Sequence, residues 1–232
     1  MCGIIGIFSA NKTYISQVAI DRELMMHRGP DGFGEVRTDN ALLFHRRLSI
    51  IDPNPRSNQP MQYGDLYIIF NGEIYNYRNI KALLESIGIG FDTGSDTEVI
   101  LKGFSKFGTK IFSMLKGMFG IVLYDGKNKK IYVARDFVGE KPLSFFFYKN
   151  KLILASEPMA IARILLSTQY KLKMNKTYLQ LLNMRNIYGL NRSITIFNEV
   201  KKIVPGFLYI FKIEGSISLK SIEPIQCLEL HE

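Results

Sequence analysis

The sequence predicts an α+β domain in which antiparallel sheets carry helices on their outer faces. In the second half of the chain, apolar runs follow one another through short polar turns, at residues 118–135 and 143–156. Tight turns between consecutive strands imply antiparallel pairing. Helical patterns separate these runs from an earlier block of strands, which is typical of a layered α+β domain rather than a parallel α/β domain.

Strands are predicted where short apolar runs rich in β-branched and aromatic residues are bounded by turn residues. The runs lie at residues 2–8, 41–51, 66–71, 118–125, 130–135, 143–149 and 151–156, and a last hairpin is predicted at 207–219. A loop rich in Pro, Asn, Ser and Gln, at residues 53–62, separates the second run from the third.

Helices are predicted where apolar residues recur at helical spacing. The first is expected to end at Gly29-Pro30, and its apolar face comprises Ile15, Val18, Ala19, Met25 and Met26. The second covers residues 79–87 and is ended by Gly88. The third begins at Ser95, which has the spacing of a capping box with Glu98. A further helical pattern covers residues 157–190.

The composition indicates a globular chain with a basic surface. The 232 residues are 47% hydrophobic and 22% charged, with a formal net charge of +9. The basic residues are scattered beside turns and accompany no zinc-finger spacing or aromatic RNA-binding signature, so we expect no nucleic-acid partner. No apolar run approaches the roughly 18 residues of a membrane helix, and no signal peptide is visible. The two cysteines, Cys2 and Cys227, suit a reducing cytoplasm.

The most informative position is Cys2, directly behind the initiator methionine. Removal of Met1 would place a thiol nucleophile and an α-amine base on the same residue. The alternative is that Cys2 only begins a buried strand, since cysteine behaves as a small hydrophobic residue. Position alone leaves both interpretations open.

Three further segments are candidates, and each has a purely structural explanation. Asn71-Gly72 follows an apolar strand and is the commonest turn dipeptide. Arg46 and Arg47 alternate faces on a strand, so one is expected in solvent and the other inside, where it needs a carboxylate from the protein or a ligand. Asp96 lies in the first turn of a predicted helix, where the helix dipole favours a negative charge.

Taken together, these segments resemble the class II glutamine amidotransferases, and most closely the glutaminase domain of glutamine-hydrolysing asparagine synthetases. The resemblance is carried, in the family's order, by Cys2-Gly3-Ile4, HRGPDG, HRRLSIID, NQPM, NGEIYNYR, TGSDTEVIL, LKGMFGIVLYD, ARDFVGEKPL, ASEPMAI and TIFNEVKKIVPGFLYIF. It implies an amidotransferase domain over residues 2–211 with the N-terminal nucleophile hydrolase fold, a four-layer αββα sandwich of two antiparallel sheets. Residues 212–232 would form a C-terminal hairpin or tail where a synthetase domain would begin.

The resemblance also implies catalytic roles. Cys2 would attack the side-chain amide of L-glutamine to form a thioester, with its own α-amine as general base. The Asn71 side-chain amide and the Gly72 backbone N–H would form the oxyanion hole. In this interpretation the Asn71-Gly72 turn exposes the two donors.

The same resemblance implies the residues that bind the substrate. Arg47 would pair with the α-carboxylate of glutamine, and Asp96 and Glu73 would face its α-ammonium group. The other residues expected to line the pocket, partly through main-chain groups, are Leu48, Ser49, Ile50 and Ile51.

The sequence contains no segment for the second half of such a synthetase. A Ser-Gly-Gly-x-Asp-Ser type loop and a Walker loop are both absent from it. We therefore expect no cofactor for the glutaminase step, with ATP and Mg required only on the absent synthetase domain.

The expected function is hydrolysis of glutamine to supply ammonia to a synthetase domain or chain, for an asparagine-synthetase-type amidation. An amidated sugar or peptide is a further candidate acceptor, and a homo-oligomer is compatible with the sequence. The alternative from another class is a non-catalytic amidotransferase-like module that binds or regulates a synthetase partner.

Overall fold

The computed structural model describes residues 1–166, 168, 170–183 and 193–225. Its strands are β1 (Gly3–Ser9), β2 (Gly32–Arg37), β3 (Ala41–Arg47), β4 (Met61–Tyr63), β5 (Leu66–Ile74), β6 (Gly117–Asp125), β7 (Lys130–Arg135), β8 (Ser144–Tyr148), β9 (Lys151–Ala155), β10 (Val200–Lys202), β11 (Phe207–Glu214) and β12 (Ser216–Pro224). Its helices are α1 (Lys12–Gln17), α2 (Tyr77–Ser86), α3 (Asp96–Phe107), α4 (Lys110–Met114), α5 (Pro158–Leu166) and α6 (Lys176–Asn183).

Within the described residues the strands form two six-stranded sheets. The first has the order β10-β8-β9-β1-β3-β2, and the second has the order β12-β11-β7-β6-β5-β4. The pairs β6–β7, β8–β9 and β11–β12 are antiparallel neighbours, as the tight turns between them predict. The sequence-based prediction of antiparallel pairing is confirmed.

Three apolar layers hold the sheets and helices together. Alternate residues of each strand face opposite sides, so Ile4 and Phe8 of β1 pack between the sheets while Ile5 and Ile7 face outward. Helices α1 and α5 cover the outer face of the first sheet. Helices α2, α3 and α4 cover the outer face of the second sheet. The architecture is an αββα sandwich, which confirms the predicted fold class.

Helices α2 and α3 end and begin where the sequence predicts. Gly88 follows α2 with a left-handed φ of 86°, and the Ser95 side chain accepts a hydrogen bond from the Glu98 N–H at 3.2 Å. The reciprocal half of the capping box does not form. The Glu98 carboxylate instead accepts hydrogen bonds from the N–H groups of Asp92 and Thr93.

The predicted helix before Gly29 is wrong beyond Gln17. The Arg37 guanidinium donates to the carbonyls of Ile15 and Val18, where the helix would continue, and Met25 has a left-handed φ of 62°. Ile15, Val18 and Met25 are nevertheless buried against the first sheet. The apolar pattern therefore predicted the burial of the segment correctly. It did not predict the backbone conformation, because contacts with β2 set that conformation.

The arginines of β3 are also placed differently from the prediction, because both are buried. Segment 22–33 covers the face of β3 that was expected in solvent. There Arg46 donates to the carbonyls of Arg22 and Gly29 at 3.2 and 3.0 Å. Its guanidinium also lies over the Phe33 ring.

The C-terminal part of the chain is described in pieces. The helical pattern at residues 157–190 is confirmed only for α5 and α6, and residues 167, 169 and 184–190 of that prediction lie outside the described residues. Residues 170–175 between the two helices are not helical, and Met174 forms a β-bridge with Phe197. The expected domain boundary between residues 211 and 212 falls inside β11, and β12 extends the same sheet to Pro224. Residues 226–232 of the predicted tail are outside the described part.

Candidate active site

A cleft opens at one end of the layer between the two sheets. It is bounded by the start of β1, the end of β3, the open edge of β5 and the first turn of α3. Of the residues singled out in the sequence, those that line it are Cys2, Arg47, Leu48, Ile50, Ile51, Asn71, Gly72, Glu73 and Asp96. The structure therefore brings together side chains that are up to 94 positions apart in the sequence (from 2 to 96).

The Cys2 thiol is partly buried directly before β1. The Leu48 N–H donates to its Sγ at 3.4 Å, and the Leu48 carbonyl lies 3.6 Å from the same atom. The Arg28 Nε–H donates to the Cys2 carbonyl at 3.0 Å, which fixes the backbone. Burial raises the pKa of the Cys2 thiol, and Leu48, the terminal ammonium and Arg47 oppose this only in part. The neutral thiol is therefore favoured, so its use as a nucleophile requires a base.

Asn71 and Gly72 do not form a turn, and this part of the prediction is wrong. Both lie inside β5, where they pair with Gly120 and Phe119 of β6. The turn expected at residues 71–72 does not form because the strand continues to Ile74. The Asn71 side chain can therefore donate only from the face of β5 to which it points, and the Gly72 N–H can donate only from the edge of the strand.

The Asn71 side chain is buried, and its Nδ2 has no hydrogen-bond partner among the described residues. It follows Ile69 on the β5 face that points between the sheets. A buried donor without a partner is destabilising by about 1–3 kcal/mol. The site thus contains an amide N–H group that a bound acceptor could satisfy.

The Gly72 N–H faces the open edge of β5. Phe119, which is opposite Gly72, directs both its N–H and its carbonyl to Asp136 on the other side. Gly72 and Phe119 are therefore a non-hydrogen-bonded pair, and the Gly72 N–H points away from β6. On the same edge the N–H groups of Phe70 and Ile74 donate to Gln59 and Asp96. The Gly72 N–H lies between these two satisfied donors.

Arg47 reaches into the cleft, and its guanidinium donates hydrogen bonds to neutral carbonyl oxygens rather than to a carboxylate. Its guanidinium donates to the Asn54 carbonyl at 3.0 Å, the Asn58 Oδ1 at 2.5 Å and the Asp52 carbonyl at 2.6 Å. The expected need for a carboxylate partner is therefore not fulfilled by the described protein. These bonds hold the loop at residues 51–58, which forms one wall of the cleft.

Asp96 and Glu73 provide negative charge at the other wall. The Asp96 carboxylate is buried and accepts a hydrogen bond from the Ile74 N–H at 3.1 Å. Burial raises the pKa of Asp96 to about 6, the Glu73 carboxylate adds to the shift, and the Ile74 hydrogen bond opposes it. The first turn of a helix favours a negatively charged carboxylate. The pKa of Asp96 is nevertheless raised, because burial disfavours the charged form more strongly than the helix dipole favours it.

The segment after β3 contributes unequally. Leu48, Ile50 and Ile51 line the cleft, with Ile50 largely exposed at its mouth. Ser49 is not among the lining residues, and its N–H donates to the Asp31 carboxylate at 2.7 Å. The structure therefore separates Ser49 from the group with which the sequence placed it.

Three of the lining residues that were not predicted as site residues are His45, Gln59 and Lys141. The Gln59 Oε1 accepts from the Phe70 N–H at 2.6 Å. The Lys141 ammonium contacts the Met1 Sδ at 3.6 Å across the mouth of the cleft. Each residue lies in one of the motifs HRRLSIID, NQPM and ARDFVGEKPL. Only the tertiary structure shows which polar side chains of these motifs turn inward.

The described residues contain no group of three or more His, Cys, Asp and Glu side chains that could hold a metal ion. In the same part of the chain, no helix is long and apolar enough to span a bilayer.

Comparisons with known proteins relate this chain to a family. A family model described as a glutamine amidotransferase domain matches residues 1–221. The chain is 34% identical over 243 aligned positions to asparagine synthetase [glutamine-hydrolyzing] 1 of Bacillus subtilis (strain 168), covering 99% of this chain and 37% of that protein. It is 36% identical over 170 positions to asparagine synthetase B [glutamine-hydrolyzing] of Escherichia coli (strain K12), covering 71% and 30%.

A solved structure shares the fold. It is that of glutamine phosphoribosylpyrophosphate (PRPP) amidotransferase from B. subtilis complexed with ADP and GMP, with a TM-score of 0.64, 20% identity, and coverage of 97% of this chain and 49% of that one. The chain spans about a third of the length of the two curated relatives. By the family match, the chain belongs to the class II glutamine amidotransferase domains, which adopt the N-terminal nucleophile hydrolase fold.

Proposed function

We propose that the domain hydrolyses L-glutamine to glutamate and ammonia, with Cys2 as the nucleophile. The observation that carries this proposal is that the Cys2 thiol and the Asn71 Nδ2, which has no hydrogen-bond partner within the described part of the chain, lie on the walls of one cleft. A thiol and a buried amide donor in one pocket match the requirements of acyl transfer, in which negative charge develops on the carbonyl oxygen.

The reaction begins after Met1 is removed. The free α-amine of Cys2, with an ordinary pKa of about 7.7–8.0, takes the thiol proton as Sγ attacks the amide carbon. The Asn71 Nδ2–H and the Gly72 N–H donate to the oxygen of the tetrahedral intermediate. The C–N bond then breaks, the α-ammonium gives its proton to the departing nitrogen, and ammonia leaves behind a thioester.

A water molecule completes the cycle. The α-amine takes a proton from this water as its oxygen attacks the thioester carbon, and the same two donors stabilise the second oxyanion. The C–S bond breaks, the sulfur regains a proton from the α-ammonium, and glutamate leaves. Because burial raises the pKa of the Cys2 thiol, the base is needed to generate the thiolate.

Substrate binding uses the charged walls of the cleft. Asp96, with Glu73 beside it, faces the α-ammonium group. Arg47 is oriented by the loop at residues 51–58 and provides positive charge for the α-carboxylate. Leu48, Ile50 and Ile51 enclose the side chain of the substrate, and Ser49 supports them through its bond to Asp31.

The ammonia would serve an amidation on a separate or further synthetase domain, as the names of the relatives suggest for those proteins. A synthetase chain co-purified with this protein, and the amidated product formed from labelled glutamine nitrogen, would identify the acceptor.

The glutaminase proposal is tested with protein whose N-terminus is defined by intact mass. Protein starting at Cys2 should release glutamate and ammonia in equal amounts, and Cys2→Ala should abolish this release. Cys227→Ala is the matched control and should retain turnover. If processed protein shows no turnover with or without a partner chain, the domain is a non-catalytic module. Retention of Met1 in active protein would exclude the α-amine as base.

A further inference from the structure

His45 is a buried side chain of the cleft that the proposed mechanism does not use. It lies on β3, two residues before Arg47 and on the same face of the strand. Gly3 pairs with Arg46 and Ile4 with His45. Continuing this register places Cys2 opposite Arg47 and diagonally across from His45, on the same face of the sheet. The ring therefore lines the cleft close to the nucleophile.

Neither ring nitrogen of His45 has a hydrogen-bond partner among the described residues, although the side chain is 1% exposed. Burial lowers the pKa of His45 to about 3. The nearby backbone of Phe70 opposes this shift only in part. The ring is thus neutral, with one N–H donor and one acceptor lone pair.

The carboxamide NH₂ group of glutamine needs a hydrogen-bond acceptor, and the neutral His45 ring has one. A carboxamide has one oxygen, which the Asn71 and Gly72 donors would bind, and two N–H groups that need acceptors. Asp96 and Glu73 are assigned to the α-ammonium group at the other wall. A neutral ring that carries its proton on one nitrogen leaves the other nitrogen as an uncharged acceptor. The ring lies beside the backbone of Phe70, the residue that precedes Asn71.

We propose that His45 is a substrate-binding residue that accepts a hydrogen bond from the carboxamide N–H of glutamine and so favours an amide over an ester. This inference rests on the proposed glutaminase function. A neutral acceptor suits the role because a charged imidazolium would offer only donors to the NH₂ group.

The test compares two substrates that differ in this N–H group. L-Glutamine carries it, whereas L-glutamic acid γ-methyl ester does not. In His45→Phe, kcat/KM for glutamine should fall roughly 3- to 10-fold relative to kcat/KM for the ester, the range of one neutral hydrogen bond. His45→Gln retains an acceptor and should restore part of this ratio.

The matched control is His27→Phe, which replaces a largely exposed histidine bonded to Glu157 and should leave both values unchanged. If both substrates lose activity equally in His45→Phe and His45→Gln, His45 has a packing role and the proposal is overturned. An unchanged ratio in both variants overturns it as well. Wild-type protein that is inactive on both substrates would refute the glutaminase function itself, so the two failures are distinguishable.

Discussion

The Asp96 carboxylate accepts a hydrogen bond from the Ile74 N–H at 3.1 Å, which ties the first turn of α3 to the end of β5. This bond crosses 22 positions of sequence and brings the carboxylate to the strand edge that also presents the Gly72 N–H. It also opposes the burial that raises the pKa of Asp96 to about 6. Two predictions follow from this relationship.

The first concerns the affinity for glutamine as the pH changes. Below about pH 6 Asp96 becomes protonated and no longer attracts the α-ammonium of the substrate. In the Cys2→Ala variant, which isolates binding from turnover, the Kd for glutamine should rise towards tenfold for each pH unit below about 6. Titration calorimetry between pH 5 and 8 measures this. Glutaramic acid, which lacks the α-amine, is the control and should show no such loss; a pH-independent Kd for glutamine would contradict the assignment.

The second concerns stability. A carboxyl whose folded pKa is raised from 3.8 to about 6 stabilises the fold below about pH 4, and this contribution is lost as the pH rises through about 6. Asp96→Asn removes the buried charge, so it should increase the free energy of unfolding at pH 7.5 by up to about 3 kcal/mol, with little change at pH 4. Urea unfolding at both pH values measures it, with the exposed Asp21→Asn as control. A loss of stability at pH 7.5 would show that the charged form is favourable.

Asn71→Ala should separate activity from stability. The Asn71 Nδ2 has no partner among the described residues, so truncation removes no hydrogen bond to them from that nitrogen, whereas loss of an oxyanion donor lowers kcat on the order of 100- to 1,000-fold. The control is Asn76→Ala, which loses bonds to Met114 and Lys116 and should lower stability by about 1–3 kcal/mol. Steady-state kinetics and thermal unfolding of both variants provide the comparison. Near wild-type kcat in Asn71→Ala would exclude the oxyanion role.

Gly72→Ala should damage the site through packing. A Cβ at this position would lie 2.1 Å from the Met118 carbonyl oxygen and 2.8 Å from the Phe119 Cα, so β5 and β6 must move apart. We expect loss of activity together with destabilisation of about 1–3 kcal/mol or more. Gly32→Ala, where nothing lies within 4 Å of the added Cβ, should be tolerated. Unfolding curves measure both, and an unchanged stability of Gly72→Ala would contradict the close approach.

The sequence alone predicts the layers of this protein with good accuracy. Short-range patterns, such as the alternation in residues 2–8 and the helical spacing after Ser95, depend only on which neighbouring side chains are apolar. The folded structure agrees with these patterns because each strand and helix buries the face on which its apolar residues are spaced. The resemblance to the family also predicted candidate site residues. Local patterns alone could not assign a chemical role to these residues.

Only the tertiary structure decided where those residues lie and what they contact. Asn71-Gly72 is read locally as a turn, yet pairing with β6 keeps it extended. The alternation of faces along the strand predicts that Arg46 is exposed to solvent, yet segment 22–33 covers it. His45 is unremarkable in the sequence, and in the fold it becomes a buried ring in the cleft without a hydrogen-bond partner among the described residues. The physical reason is the same in each case: exposure, hydrogen-bond partners and pKa depend on groups that are distant in the chain, and only folding brings those groups together.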